Sequence, residues 1–302
     1  MEKKKVVIGM SGGVDSSVSA ILLKEQGYDV IGLFMRNWDS SINNDFLGNP
    51  NLDNNICPQE QDYNDALDVC NQIGIPLHRI DFVKEYWDNV FKYFLDELKK
   101  GRTPNPDVMC NKYIKFDYFV REAKRLGADY IATGHYARIV KLDNGRYTIK
   151  MSATKKKDQT YVLFNLSQEQ LSRTLMPVGE YNKDQIREIA EKIGLEVAHK
   201  SDSQDICFVP DGDYAKFIEN YLGKTYPDGD FVDINGNVIG RHHGIIRYTN
   251  GQRKGLGIAF GKPMYVADKN IEKNTVTLCT NDELFSSEVN ACLLYTSDAA
   301  DE

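Results

Sequence analysis

The sequence lacks closely paired cysteines. Its six cysteines, at positions 57, 70, 110, 207, 279 and 292, include no Cys-x-x-Cys pair. Zinc ribbons and thioredoxin-like redox sites use such pairs, so neither class is supported. In a reducing compartment the default role of each cysteine is a buried thiol, and any further role needs its own argument.

Long apolar runs are also missing. The first run, residues 6–10, ends at Ser-Gly-Gly after five residues. A bilayer-spanning helix needs about 18 apolar residues, and a signal peptide needs a longer core than this. We therefore expect a cytoplasmic protein without a membrane partner.

A basic surplus is missing as well, since 37 Lys and Arg stand against 44 Asp and Glu, a net charge of −7. At first sight this argues against a nucleic-acid partner. However, residues 37–68 hold seven acidic residues and no Lys or Arg, so this one stretch accounts for the whole excess of acidic over basic residues. Residues 141–157 hold six basic residues and one acid, and residues 241–262 hold five and none. The charge distribution therefore agrees with an RNA partner.

Strands alternate with helices in the first part of the chain. Short apolar runs are followed by segments with apolar residues at helical spacing. Because this alternation is typical of parallel sheets covered on both faces, we predict a doubly wound α/β fold with ligands at the carboxyl ends of its strands. The predicted strands are 5–10, 30–35, 75–82 and 129–133, and the predicted helices are 14–26, 62–73, 85–98 and 116–126.

The pattern changes after Gly134. Asn144-Gly145 predicts a β-hairpin, and two short helices follow it. From Tyr226 the sequence becomes Gly-rich and β-like. We place a domain boundary at residues 205–212, where the helical pattern stops at a Pro-Asp-Gly turn.

A glycine-rich segment joins the first predicted strand to the first predicted helix, with the sequence Gly9-Met10-Ser11-Gly12-Gly13-Val14-Asp15-Ser16. Its glycines let backbone amides close around a phosphate, and the helix N-terminus adds unpaired N–H groups. The spacing fits neither a Walker A loop nor Gly-x-Gly-x-x-Gly. We interpret the segment as a nucleotide phosphate site rather than a bare turn.

Two cysteines stand in unusual surroundings. Residues 101–112 contain two prolines, which predict a rigid loop that holds Asp107 and Cys110 at the mouth of a helix starting near Asn111. A helix N-terminus with Lys112 nearby raises the thiolate fraction, so Cys110 is a candidate nucleophile. Cys207 lies where a polar segment turns apolar, and on its own it reads as a strand cysteine.

The glycine-rich segment resembles the PP-loop of the ATP pyrophosphatase superfamily, whose members adenylate an oxygen and release pyrophosphate. Over residues 5 to about 270 the chain resembles the tRNA-specific 2-thiouridylase family, which thiolates the wobble uridine of certain tRNAs. The resemblance implies an adenine nucleotide alpha hydrolase-like domain, a small central mainly-β domain and a C-terminal β-barrel. The matching segments are 9–16, 32–38, 85–91, 101–116, 127–136, 157–161, 205–209 and 251–257.

The resemblance also implies roles for single residues. Cys207 would carry sulfur as a persulfide, Cys110 would be its partner thiol, and Asp107 would be the acid/base group. ATP, with Mg²⁺, is the implied cofactor, and we assign no metal site to the protein itself. The remaining residues would surround ATP (Gly9, Met10, Ser11, Gly12, Gly13, Val14, Asp15, Ser16, Met35 and Gly134), the target base (Asn105, Pro106 and Asp107) and the tRNA (Lys157, Asp158 and Gln159).

The implied mechanism has two steps. ATP adenylates the C2 oxygen of the uridine, so that AMP becomes the leaving group. In one route the Cys207 persulfide then attacks the C2 carbon, and Cys110 closes a disulfide with Cys207. In the other route Cys110 first releases hydrosulfide from the persulfide, and the hydrosulfide attacks the carbon. A base in an anticodon loop can be splayed out without breaking a duplex. The expected partners are a tRNA with a wobble uridine and a persulfide donor such as a cysteine desulfurase or a relay protein.

Three other functions compete with this one. A small-molecule amide synthetase shares the loop, but the paired cysteines and the basic segments argue against it. An iron-sulfur-dependent RNA thiolase would use Asp107, Cys110 and Cys207 as cluster ligands. A nucleotide-binding module without chemistry would bind ATP and release no pyrophosphate.

The chain departs from the family at two places. Residues 40–60 form a longer polar insertion than many members have, and residues 292–302 resemble translated adapter sequence. We therefore expect a truncated barrel. The predicted domains are a catalytic domain at 1–208, a central tRNA-binding domain at 209–274 and a barrel remnant at 275–302.

Overall fold

The structure is a computed structural model that describes residues 3–39, 42–43, 58–201, 206–209 and 212–288. It divides into two compact units. The first comprises residues 1–92 and 106–212, and the second comprises residues 93–105 and 213–302. Most of the polar insertion at 40–60 and the whole ending at 292–302 lie outside the described residues.

The first unit is built on a parallel sheet. Its described strands are β1 Lys5–Met10, β2 Asp29–Arg36, β3 Leu77–Asp81, β4 Tyr130–Ala132, β5 Ala137–Lys141, β6 Tyr147–Met151 and β7 Thr174–Leu175. The parallel sheet has the order β3-β2-β1-β4-β7, while β5 and β6 form the predicted antiparallel hairpin. Val6, Val7 and Ile8 of β1 are fully buried, as expected for a central strand covered on both faces.

Helices accompany the strands along the chain. Up to residue 200 the described α-helices are α1 Val14–Glu25, α2 Pro58–Ile73, α3 Val83–Tyr86, α4 Lys92–Lys99, α5 Pro106–Met109, α6 Phe119–Arg125, α7 Gln168–Ser172 and α8 Lys183–Lys192. All but α4, which belongs to the second unit from residue 93 on, lie in the first unit. Two π-helical segments, Trp87–Phe91 and Cys110–Tyr118, join α3 to α4 and α5 to α6. Such widened turns are rare and often occur at functional sites.

Helix α1 packs into the centre of the first unit. Val18 is fully buried in the same apolar core as Ile8 of β1 and as Ile186 and Ala190 of α8. Each buried aliphatic side chain of this size stabilises the fold by about 1.5–3 kcal/mol. This packing fixes the N-terminus of α1 against the carboxyl end of β1.

The strand order reverses beside β1. The chain runs from β1 outward to β2 and β3 and then returns to the other side of β1 with β4. In open α/β sheets, ligands bind in the crevice outside the strand ends at such a reversal. The loop after β1 and the loop after β4 therefore border the expected binding crevice.

The second unit contains a mixed sheet. Its described elements are α9 Tyr214–Leu222, β8 Gly229–Val232, β9 Val238–His242, β10 Tyr265–Asn270 and β11 Thr275–Cys279, and the sheet order is β10-β11-β8-β9. The predicted fold class, a parallel α/β sheet followed by a mainly-β part, is confirmed. Strand β11, which we expected to begin the barrel remnant, pairs with both β10 and β8. The division into three domains stays a prediction.

No helix among the described residues is both long and apolar enough to cross a membrane.

Candidate functional site

The loop after β1 is shaped by glycine. Gly12 has a φ of +71°, and a Cβ there would lie 2.2 Å from the carbonyl oxygen of Asp62, so only glycine fits. Gly13 is the N-cap of α1 and provides no side-chain cap. The first N–H groups of α1 therefore have no side-chain partner at the cap and are suited to an anion.

Serine hydroxyls hold the loop in shape. The N–H of Ser11 donates to Oγ of Ser16 at 3.2 Å, and the two hydroxyl oxygens lie 3.1 Å apart. The Ser16 hydroxyl in turn donates to the carbonyl oxygen of Gly13 at 3.0 Å. The loop is thus preorganised around the N-terminus of α1. Met10 and Val14 are buried, so they contribute packing and backbone rather than polar side chains.

The two other predicted nucleotide residues lie against this loop. A Cβ on Gly9 would be 3.3 Å from Cε of Met35, and a Cβ on Gly134 would be 3.0 Å from the backbone nitrogen of Ser16. Met35 lies near the carboxyl end of β2, and Gly134 follows β4. The structure therefore brings together all ten residues that we predicted to surround ATP.

Sequence reasoning missed two partners of Asp15. The hydroxyl of Tyr136 donates to Oδ1 at 2.7 Å, and Nζ of Lys183 donates to Oδ1 and Oδ2 at 2.8 and 2.9 Å. A lysine in the first turn of a helix is electrostatically unfavourable, and this was the available signal for Lys183. Asp15 is therefore the centre of a small charged network.

Lys200 holds the other side of the loop. Its Nζ donates to the carbonyl oxygen of Gly12 at 3.1 Å and to Asp62 at 2.7 Å, and it also contacts Asp65. Sequence reasoning had placed Asp62 and Asp65 only in an acidic surplus. Because Lys200 lies seven residues before Cys207, it links the phosphate loop to the cysteine-bearing segment along the chain.

The helix that carries Asp107 and Cys110 begins earlier than predicted. We expected a rigid loop and a helix start near Asn111, but α5 begins at Pro106 and continues into the π-helical segment that starts at Cys110. Proline is favoured in the first turn of a helix because its missing N–H has no helical acceptor to bond there. Asp107 and Cys110 therefore lie three residues apart on one face of a helix.

The expected activation of Cys110 is wrong for this state of the protein. Cys110 is 4% exposed, and burial raises the pKa of its thiol to about 12, with further increases from Cys207 and Asp107. The opposing positive charge is that of Lys115. Lys112, which we expected to act, lies over the ring of Tyr113 instead. Cys110 is therefore a neutral thiol that needs a base.

Cys207 lies beside an aromatic cluster. Its neighbour Phe208 is fully buried, with ring centroids 5.1 Å from Trp38 and 5.0 Å from Phe91. Cys207 has solvent-exposed surface. The protein packed around its thiol nevertheless raises the pKa of that thiol by desolvation. The hydroxyl of the buried Tyr86 hydrogen-bonds the Cys207 sulfur and acts in the opposite direction, lowering this pKa.

The structure brings the three predicted catalytic residues together. Cys207 and Asp107 both raise the pKa of Cys110, and Asp107 also raises the pKa of Cys207, while the ammonium of Lys115 lowers both. Both cysteines are free thiols. The site therefore holds two thiols, a carboxylate and the ammonium of Lys115 within electrostatic range, which suits thiol exchange.

The residues predicted to contact the base and the tRNA differ in their burial and in the unit to which they belong. Pro106 is buried in the first unit, whereas Asn105 is exposed and belongs to the second. Lys157 ends a short 3₁₀ turn that begins at Lys155 and has no buried residues.

The side chains of Asp158 and Gln159 accept hydrogen bonds from other residues of the protein. Asp158 accepts hydrogen bonds from the N–H of Ser152 at 2.9 Å and from Thr160, and these bonds lower its pKa despite the opposing effect of burial. Oε1 of Gln159 accepts from the N–H of Tyr136 at 2.9 Å. Both side chains therefore have structural partners in addition to any role with tRNA.

The donor set fits the magnesium that accompanies ATP. Mg²⁺ prefers oxygen ligands and is usually held by one or two carboxylates together with phosphates. Asp15 is 30% exposed at the phosphate loop, so its carboxylate can supply such a ligand. No group of three His, Cys, Asp or Glu side chains suited to a metal ion occurs in the described part of the chain.

Comparisons with known proteins agree with each other. A family model described as "tRNA methyl transferase HUP domain" matches residues 4–211, and one described as "tRNA methyl transferase PRC-barrel domain" matches residues 215–280. The tRNA-specific 2-thiouridylase MnmA of Lachnoclostridium phytofermentans is 54% identical over 288 residues, which is 95% of this chain and 79% of that protein. The protein of the same name from Clostridioides difficile is 52% identical over 289 residues, which is 95% of this chain and 78% of that protein.

Proposed function

This chain belongs to the tRNA-specific 2-thiouridylase family and is a tRNA sulfurtransferase, and we propose that its reaction runs at two neighbouring places in the first unit. ATP binds at residues 9–16, and sulfur is transferred by Cys207 and Cys110. The observation that carries this proposal is the pair of free thiols beside Asp107. Two thiols within electrostatic range allow a persulfide on one to be resolved by the other.

The first step activates the base. The loop from Gly9 to Ser16 cradles the phosphates of ATP, while Met35 and Gly134 border the adenine and the ribose. The C2 oxygen of the uridine attacks the α-phosphorus and pyrophosphate leaves, so that the oxygen becomes part of an AMP leaving group. Mg²⁺ held by Asp15 would neutralise phosphate charge.

The second step transfers sulfur. The terminal sulfur of a Cys207 persulfide attacks C2, and AMP departs with the electron pair of the C2–O bond. Cys110 then attacks the Cys207 sulfur and breaks the S–S bond to the transferred atom. The products are 2-thiouridine and a Cys110–Cys207 disulfide, which an external thiol reduces for the next turnover.

Asp107 serves Cys110 in this step. Burial raises the pKa of Cys110 to about 12, so the thiol must lose its proton before it attacks. Asp107 lies three residues earlier on the same helix and is exposed, so it can accept that proton and pass it to solvent. The tyrosine hydroxyl of Tyr86 favours the ionised form of Cys207 through its hydrogen bond.

The substrate is a tRNA whose wobble uridine reaches this site. Asn105 and Pro106 border the base, and Lys157, Asp158 and Gln159 contact the tRNA. The basic residues in 141–157 supply phosphate contacts that are independent of sequence. A cysteine desulfurase or a relay protein supplies the persulfide, and the reaction takes place in the cytoplasm, a location that free thiols and a tRNA substrate support.

The two family models carry the words "methyl transferase", which name a different reaction. Methyl transfer needs neither an adenylated base nor two thiols that meet. The cysteine pair and the phosphate loop therefore favour sulfur transfer, in agreement with the names of the 2-thiouridylase relatives. The small-molecule synthetase and the iron-sulfur-dependent thiolase are not favoured by these relatives.

A thiolation assay tests the proposal. The protein is incubated with ATP, a persulfide donor and unmodified tRNA, and the nucleosides are analysed by mass spectrometry. We expect 2-thiouridine, identified by the mass gain of sulfur replacing oxygen, together with ATP-dependent release of pyrophosphate. A methylated uridine, or 2-thiouridine formed equally well by Cys110→Ser and Cys207→Ser, would overturn it.

A further inference from the structure

Two aromatic side chains that lie close together in the chain, Tyr161 and Phe164, are exposed. Their exposed fractions are 61% and 68%, whereas the two residues between them, Val162 and Leu163, are buried. Burial of a large apolar side chain stabilises a fold, and this aromatic pair does without that gain. Because one exposed ring is common on protein surfaces, the surroundings of the pair decide what it means.

The backbone that carries the aromatic pair is held in place. The N–H of Leu163 donates to the carbonyl oxygen of Thr160 at 3.0 Å, and the N–H of Leu166 donates to the carbonyl oxygen of Leu163 at 3.1 Å. Val162 and Leu163 anchor the same segment in the interior. Both rings are therefore presented on a fixed backbone, which lowers the entropy cost of binding a ligand on them.

Positive charge surrounds the aromatic pair along the chain. Residues 155–157 are three lysines in a 3₁₀ turn with no buried residue, and residues 141–164 together hold six basic and two acidic residues. One of the two acids, Asp158, already accepts from the N–H groups of Ser152 and Thr160. Proteins bind single-stranded nucleic acid with this combination, since cations attract the phosphates and aromatic rings stack on unpaired bases.

The segment with the aromatic pair is joined to the binding crevice of the first unit. Gln159, two residues before Tyr161, accepts from the N–H of Tyr136 at 2.9 Å and donates its own N–H to the carbonyl oxygen of Tyr136 at 3.0 Å. The Tyr136 hydroxyl donates to Asp15 in the phosphate loop at 2.7 Å. A base that enters the crevice therefore brings its neighbouring nucleotides toward this segment.

We propose that Tyr161 and Phe164 stack on unpaired nucleotides of the anticodon loop that flank the wobble uridine. The inference deepens the proposed function and rests on its contact between residues 157–159 and the tRNA. A uridine that is splayed into the site loses its stacking on the neighbouring bases. Stacking of those bases on the aromatic pair offsets part of this loss, and it tolerates any base because every base has a π face.

Fluorescence anisotropy with labelled RNA tests the proposal. The two probes are an RNA hairpin that carries the anticodon loop and a continuous duplex of the same stem. In Tyr161→Ala and in Phe164→Ala we expect the Kd for the hairpin to rise between about fivefold and 100-fold, while the Kd for the duplex changes less than about twofold. Tyr161→Phe and Phe164→Tyr keep a ring and should bind the hairpin within about twofold of the wild type.

Salt dependence separates stacking from phosphate contacts. The alanine variants lose no charge, so the slope of log Kd for the hairpin against log salt concentration should equal that of the wild type. Lys156→Gln should reduce this slope by about 0.7, as expected for one lost phosphate contact on a single strand. Phe285→Ala is the matched control and should bind normally, since Phe285 is 78% exposed in the second unit but stands near Asp282, Glu283 and Glu288.

Equal losses for hairpin and duplex, or an unchanged hairpin Kd in both alanine variants, would overturn the inference. Unchanged hairpin binding together with slower loading of sulfur onto Cys207 would overturn it in favour of a docking site for the sulfur donor. If the wild type itself binds no hairpin, the proposed function fails and the inference fails with it.

Discussion

The hydroxyl group of Tyr136 lies 2.7 Å from Oδ1 of Asp15 and donates a hydrogen bond to it. Asp15 follows β1 and Tyr136 follows β4, so the bond joins the two sides of the crevice where the strand order reverses. The backbone of Tyr136 is also bonded to Gln159, by its N–H at 2.9 Å and its carbonyl oxygen at 3.0 Å. One residue thus connects the phosphate loop with the segment proposed to contact tRNA.

Replacing Tyr136 by phenylalanine removes this bond and leaves the ring. We expect the KM for ATP in pyrophosphate release to rise about three- to tenfold, and the free energy of unfolding to fall by about 0.5–1.5 kcal/mol, as for a typical hydrogen bond. Tyr130→Phe is the control, because the Tyr130 hydroxyl accepts from Lys4 at 3.1 Å and lies at the start of β4. An unchanged KM in Tyr136→Phe would show that the bond does not hold Asp15 for ATP.

Lys200 stabilises the loop from the other side. Lys200→Met leaves Asp62 and Asp65 without their shared cation and the Gly12 carbonyl without its donor. Because the Lys200 side chain is 29% exposed, water replaces part of the loss, and we expect the free energy of unfolding to fall by about 1–3 kcal/mol. Urea unfolding measures this. A midpoint equal to that of the control Lys192→Met, which removes an exposed lysine paired with Glu188 in α8, would contradict it.

The hydrogen bond between Tyr86 and Cys207 should affect the reactivity of the Cys207 thiol. The Tyr86 hydroxyl lowers the pKa of Cys207 by favouring the thiolate, so Tyr86→Phe should raise that pKa. The pH profile of Cys207 alkylation, followed by mass spectrometry of its peptide, should then move to higher pH. Tyr214→Phe is the control, since the hydroxyl of this half-buried residue donates to the carbonyl oxygen of Ile246 within the second unit. A profile that stays in place or moves to lower pH in Tyr86→Phe would rule out this role.

Two buried thiols predict a loss of stability in alkali. Burial raises the pKa of Cys70 and of Cys110 to about 12, above the unfolded value of roughly 8.5. The unfolded chain therefore releases these protons first, so the thiols leave stability unchanged below pH ~8.5 and reduce it as pH rises above that value. Each thiol lowers the free energy of unfolding by up to about 1.4 kcal/mol per pH unit in this range.

Denaturant unfolding between about pH 8 and pH 10.5 tests the alkaline prediction. Cys110→Ser, whose hydroxyl does not titrate there, should show a shallower decline than the wild type. A decline of equal slope in both proteins would mean that Cys110 is as acidic in the folded protein as in the unfolded chain.

The sequence predicted the phosphate loop well because its chemistry is local. Three glycines, a strand before them and a helix after them lie within a few residues, and the structure places this segment at the expected strand ends. The default role of a buried thiol is confirmed for Cys70, which lies in the predicted helix 62–73 and is fully buried.

The partners of that loop were not predictable in the same way. Lys183 and Lys200 reach Asp15 and Gly12 from 168 and 188 residues further along the chain, and no spacing rule covers such contacts. The early start of α5 had a local signal that was misread, since Asn105-Pro106 is a typical helix start as well as a turn. The high pKa of Cys110 arises from burial, which depends on the packing of the complete fold.

The most direct test follows one sulfur atom. The protein is loaded with radioactive sulfur by a persulfide donor, separated from that donor, and mixed with ATP and unmodified tRNA for a single turnover. We predict that the label lies on Cys207 before mixing, moves into 2-thiouridine only when ATP is present, and leaves a Cys110–Cys207 disulfide. Label that resides on another residue, or that reaches tRNA from Cys207→Ser, would contradict the assignment of Cys207 as the sulfur carrier.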